Sequence, residues 1–107
     1  MYFFDAETRE SKEVAPGIRI RTFWQQQMLI AMVELDANAV LPEHDHPHEQ
    51  GGAVLSGELL FTIGGETRNC TAGDSYLIPG GVRHSAIAGP NGAQVMDVFS
   101  PVREEYK

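Results

Sequence analysis

The chain of 107 residues holds a single cysteine, Cys70, so no internal disulfide can staple it. Cys70 itself reads as a small, half-buried strand residue. Basic residues are scarce: eight against fifteen acids, a formal charge of −7, with no basic block. Such a surface repels phosphate backbones and anionic lipid, so neither nucleic acid nor membrane is an expected partner. A small anionic substrate stays compatible, because one arginine or a metal ion can dominate the field inside a pocket. Long apolar runs are missing as well. The start, MYFFDAETRE, has three apolar residues and then acids. It lacks the basic start and long apolar stretch of a secretory signal, and no segment reaches transmembrane length. A cytoplasmic location is the expectation. Internal repeats and low-complexity tracts are absent too.

What remains is 42% hydrophobic, enough for one core. Residues 1–15 read as an N-terminal arm or edge strand and 16–107 as a single domain. So small a domain buries a modest share of its surface, and a homodimer is expected. GIRIRTFW (17–24) alternates isoleucine with arginine, the period of a half-buried strand. MLIAMVELD (28–36) is more continuously apolar but has strand length and no helix cap. From Gln50 onward, glycine-rich marks at 51–52, 56–57, 64–65, 72–74, 79–81 and 89–92 separate AVL, ELLFTI, ETRNC, SYLI, VRHSAIA and AQVMDVF. These read as short strands with turns between them. Many short strands in one small domain predict closure or stacking, as a barrel or sandwich.

Residues 44–50, HDHPHEQ, crowd three histidines, two acids and an amide into seven positions. On an extended strand, His44 and His46 leave the same face, so their imidazoles can converge on one point. His84, presented by the Pro-Gly-Gly turn of PGGVRH, can join them from a returning strand. Two imidazoles from one strand and a third from another suit a borderline divalent cation. His48 shares the parity of His46, but Pro47 breaks the ladder between them, which favours a supporting or rim position. Glu49 offers a carboxylate and Gln50 an amide oxygen, and spacing does not decide which turns inward.

The motifs resemble those of the cupin family. Its first motif, Gly-x5-His-x-His-x3,4-Glu-x6-Gly, is matched by NAVLPEHDHPHEQGGAVLSG, with His44, His46, Gln50 and Gly57 at the marked places. Its second, Gly-x5-Pro-x-Gly-x2-His, is matched by GDSYLIPGGVRH, Gly73 to His84. Asn38 replaces the opening glycine, a tolerable exchange because asparagine also visits positive φ. Ala88 stands where the second motif usually ends in Asn. Gln50 occupies the place of the glutamate ligand. The resemblance implies an all-β small cupin, a double-stranded β-helix or jelly-roll barrel. It also implies one divalent metal ion (nickel, zinc, iron or manganese) on His44, His46, Gln50 and His84. Three imidazoles and an amide leave the charge of such an ion uncompensated, which favours an anionic ligand.

The tail MDVFSPVREEY places Asp97 and Phe99 on one strand face, with Arg103 beyond a Ser-Pro turn. Taken alone, Phe99 is a core aromatic and Arg103 a surface charge. Asp97 is less ordinary, because a buried carboxylate costs several kcal/mol unless paired or used. HDHPHEQGG, SYLIPGGVRHSA and DVFSPVR together resemble a narrower set, the pectin-degradation cupins of the KdgF group. That likeness implies ring opening of 4,5-unsaturated monouronates to linear 5-keto-4-deoxyuronate. Asp97 would then move the proton, Arg103 clamp the substrate carboxylate and Phe99 wall the pocket. The competing expectations are another cupin sugar isomerase, an iron oxygenase, and a non-enzymatic metal-bearing binding domain.

Overall fold

In residues 18–24 the side chains of Ile18, Ile20 and Thr22 are buried while Arg19 and Arg21 stay partly in water, and this alternation sets the strand. The structure, a computed structural model, describes residues 2–107; Met1, the first residue of the expected arm, lies outside the described residues. A 3-10 turn, Ala6–Thr8, is capped by the Asp5 side chain, which accepts from the Glu7 amide. The strands are β1 (Lys12–Ala15), β2 (Ile18–Trp24), β3 (Leu29–Leu35), β4 (Val40–His44), β5 (Glu49–Ile63), β6 (Glu66–Thr71), β7 (Ser75–Ile78) and β8 (His84–Ser100). A second 3-10 turn, Glu104–Tyr106, follows β8.

All eight strands join one antiparallel sheet in the order β1-β2-β3-β8-β5-β6, with β4 also on β8 and β7 also on β5. The expected closed barrel is not formed. Among the described residues β1, β4, β6 and β7 each pair with a single strand, so the sheet keeps open edges. An all-β, cupin-like sheet stands in its place.

Three expected turns, at 51–52, 56–57 and 89–92, are also absent, and the loss of the last two explains how an open sheet still encloses a core. AVL and ELLFTI belong to the single 15-residue β5, and VRHSAIA and AQVMDVF meet within the 17-residue β8. The marks at Ser56-Gly57 and 89–92 are bulges where the β5–β8 register slips. Gly57 and Gly92 both lie at φ +76°, and a Cβ on Gly57 would overlap the Gly92 carbonyl. Only two bare backbones fit this crossing. Beyond it the long strands carry their second halves against the first. Val54 and Val95, before the crossing on β5 and after it on β8, share one cluster with Leu59, Phe61, Ala86 and Ala88 from the other halves. A smaller cluster gathers Leu29, Ala31, Phe99 and Val102.

Candidate metal centre

His44 closes β4 and stands directly opposite His84, the first residue of β8. His46 lies just past the end of β4, so it does not meet His44 by strand parity as the spacing suggested. A backbone latch places it instead. The Gly81 amide donates to the His46 carbonyl at 2.8 Å, and Gly80 packs so closely on Pro47 that a Cβ there would overlap the Pro47 carbonyl. The Pro-Gly-Gly turn thus grips the His-Pro-His loop through glycine backbone. The rings of His44 and His84 come within 4.2 Å, and those of His46 and His84 within 5.1 Å. One nitrogen from each of the three lies within 4.8 Å of the others.

The other ring nitrogens fix the tautomers. The Nδ1 atoms of His44, His46 and His84 face the carbonyls of Pro42, His48 and Val82 at 2.9, 3.0 and 2.9 Å. Each Nδ1 therefore carries the hydrogen, and each Nε2 presents a lone pair to the cluster. Burial holds the pKa of His46 and of His84 below its ordinary value, and the Arg103 charge adds to this, so both stay neutral.

These residues fit a divalent cation on two observations. His84 Nε2 is buried, with no hydrogen-bond partner, in a side chain only 2% exposed. His46 Nε2 faces Gln50 Oε1 at 3.0 Å while its Nδ1 faces another oxygen. A neutral imidazole has one N–H for two facing oxygens, so two lone pairs confront each other at the Gln50 end. Left dry, such groups cost several kcal/mol; an ion bound between them removes that cost.

Gln50 is buried and Glu49 exposed, so it is the amide that turns inward. The same amide lies near enough to Asp97 to hold its pKa down. Asp97 lies on β8 opposite Gly52, and its Oδ1 accepts from the Tyr76 hydroxyl at 2.6 Å. Burial pushes its pKa up to about 6, against the hydrogen bond from Tyr76, the nearby Gln50 amide and the charge of Arg103. Phe99, opposite Gln50, sets its ring against His46 at 5.5 Å and against Tyr106 at 5.4 Å. The guanidinium of Arg103 lies 4.0 Å from the centre of the Tyr106 ring and donates through Nε to Glu105 at 2.5 Å. The same guanidinium lies 5.2 Å from the centre of the Phe99 ring, which in turn meets His46, and this puts it at the same site.

All seven residues singled out from the sequence are therefore gathered at one end of the sheet. His48 stands beside them: its carbonyl orients His46, and its own Nδ1 is buried without a partner. Sequence reasoning missed Tyr76, Gly52, Glu105 and Tyr106. Gly51-Gly52 was read as a turn, yet both lie inside β5. A glycine pair within a strand, directly after a ligand motif, is the signal that a neighbouring side chain crosses there.

The chain is similar to known proteins along its whole length. Over 107 residues the chain is 29% identical to the pectin degradation protein KdgF of Dickeya dadantii (strain 3937), spanning 98% of this chain and 96% of that one. The structure of KdgF from Halomonas sp. superposes with a TM-score of 0.92 at 29% identity, over 100% of this chain and 99% of that one. An RmlC-like cupin from Shewanella frigidimarina NCIMB 400 does so with the same score and identity, over 100% and 96%. The cupin domain family itself matches residues 31–99, from β3 to the end of the Asp97–Phe99 face, and the chain belongs to that family.

Proposed function

We propose that the protein opens the ring of 4,5-unsaturated monouronates and delivers linear 5-keto-4-deoxyuronate, a step in pectin or alginate breakdown. The observation that carries this reading is that Asp97 shares a strand face with Phe99, whose ring meets both His46 of the three-histidine cluster and the Arg103 guanidinium. The likeness to two KdgF proteins supports it. A divalent metal ion (nickel, zinc, iron or manganese) would be held by His44, His46, His84 and Gln50. When bound it supplies a Lewis acid that stabilises negative charge on a substrate oxygen.

The chain's own residues do the rest. The Asp97 carboxylate accepts the proton of the anomeric hydroxyl. The electrons of that O–H bond form the C1 carbonyl, and the bond from C1 to the ring oxygen breaks with its pair on that oxygen. The product is an open-chain enolate across C4 and C5. Asp97 then returns its proton to C4, which leaves a ketone at C5 and no net change in composition. A carboxyl with a pKa near 6 can serve in both directions near neutral pH. Arg103 clamps the substrate carboxylate through the guanidinium nitrogens that Glu105 leaves free. Phe99, edge-on to His46, closes one wall against water. The working unit in this reading is a homodimer, supported by the exposed Tyr2 and Phe3, 91% and 89% accessible. Light scattering at the mass of two chains checks that part.

The test follows loss of alkene absorbance from a 4,5-unsaturated monouronate. Metal-loaded protein should clear it at least tenfold faster than chelator-treated protein. Equal rates in the two samples would remove the metal-assisted step.

A further inference from the structure

Where β7, β5 and β8 run side by side, the proposed reaction leaves one feature unexplained. Gly52 pairs with Tyr76 on one flank and with Asp97 on the other. No side chain fits at position 52: a Cβ would overlap Asp97 Oδ1 and lie 2.6 Å from Tyr76 Oη and 2.7 Å from its Cε1. Through that gap the phenol reaches across β5 and donates to Asp97 Oδ1 at 2.6 Å. The Tyr76 ring is itself braced by the edge of Phe61, 4.7 Å between centroids. Burial and the facing carboxylate raise the pKa of Tyr76 above its ordinary value, so it keeps its proton and acts as donor.

We infer that Tyr76 is a positioning residue: its hydroxyl, passing over the bare Cα of Gly52, fixes the plane of the Asp97 carboxylate so that the substrate proton meets it in one orientation. The inference rests on the proton-transfer role proposed for Asp97. The Tyr76 hydroxyl is the hydrogen-bond donor that the structure sets on this carboxylate, and it comes from β7 across β5. A freely rotating carboxylate would lose part of the advantage of a pre-set geometry.

Tyr76→Phe removes one oxygen and keeps the ring against Phe61, so the fold should survive. In metal-loaded protein its kcat should fall about 10- to 100-fold, the loss expected for one hydrogen bond to a charged group, with KM and metal content little changed. In an Asp97→Asn background the same change should cost nothing further, because the two residues act as one unit. The crystal structure of Tyr76→Phe should show the Asp97 carboxylate rotated away from Gly52. Gly52→Ala should reproduce the fall in kcat by separating the pair. Full activity in Tyr76→Phe, with Asp97→Asn inactive, would overturn this inference alone. A Tyr76→Phe loss that adds fully to that of Asp97→Asn would overturn it too. Full activity in Asp97→Asn would sink both this inference and the role of Asp97.

Discussion

The two long strands pair twice, and the two pairings are built from opposite materials. Beyond the Gly57–Gly92 crossing, the later part of β5 meets the earlier part of β8 through Leu59, Phe61, Ala86 and Ala88, all buried and apolar. Before it, the first part of β5 meets the last part of β8 through Gln50, Gly52, Asp97 and Phe99. One half is a core that holds itself by burial, with His84 at its far end opposite Ile63. The other brings an amide, a carboxylate and, from β7, a phenol into the same kind of space, and each must be partnered there. Polar groups in such positions contribute little to holding a sheet together and cost much when left alone. Asp97 has its partner in Tyr76, while Gln50 faces His46 where an ion would satisfy both, and this marks the half given over to chemistry.

Substitutions should separate the two halves. The largest effect belongs to Asp97→Asn in the polar half: turnover of the unsaturated monouronate by metal-loaded protein should fall about 10²- to 10⁴-fold, with metal content by mass spectrometry unchanged. In the apolar half, Leu59→Ala should cost about 2–5 kcal/mol in urea unfolding while the folded fraction keeps its ion and its rate. If the ion were lost as well, the two halves would not be separable.

A third effect, about 3 kcal/mol, comes from the pH dependence of metal-free protein. The Asp97 carboxyl is raised from an ordinary value of 3.8 to about 6 in the fold. Its support for the folded state is therefore complete below pH 4 and is lost as pH rises through 6. Thermal unfolding of metal-free wild type, set against Asp97→Asn, should show the wild type losing ground across that window. Parallel curves would mean that Asp97 is solvated. The smallest effect is expected of Glu105→Gln. Glu105 holds Arg103 Nε from a side chain 62% exposed, so freeing the guanidinium should lower KM for the uronate by about two- to fivefold. A higher KM would assign Glu105 to binding rather than to competition.

Much of the site was legible because its chemistry is local. Histidines two apart, a Pro-Gly-Gly turn before a third, and a carboxylate in an apolar strand each carry their meaning within a few residues. The choice of Gln50 over Glu49 needed a family pattern, since either donor suits a cation. What was not legible is non-local. Ser56-Gly57 and residues 89–92 have the composition of turns, and only their pairing across β5 and β8 shows two bulges at one crossing. The open edges of β1 and β6 depend on partners that alternation cannot name. Tyr76 in SYLI went unremarked, because nothing near it in sequence announces that Asp97 lies across Gly52.

The central claim is that His44, His46 and His84 hold a divalent ion through lone pairs that the fold leaves bare. Metal analysis of purified wild type beside His84→Ala tests it most directly. The account predicts one divalent ion per wild-type chain and almost none in the variant, at equal folded content by circular dichroism. A wild type that takes up no divalent metal, or a His84→Ala chain that keeps a full complement, would contradict it.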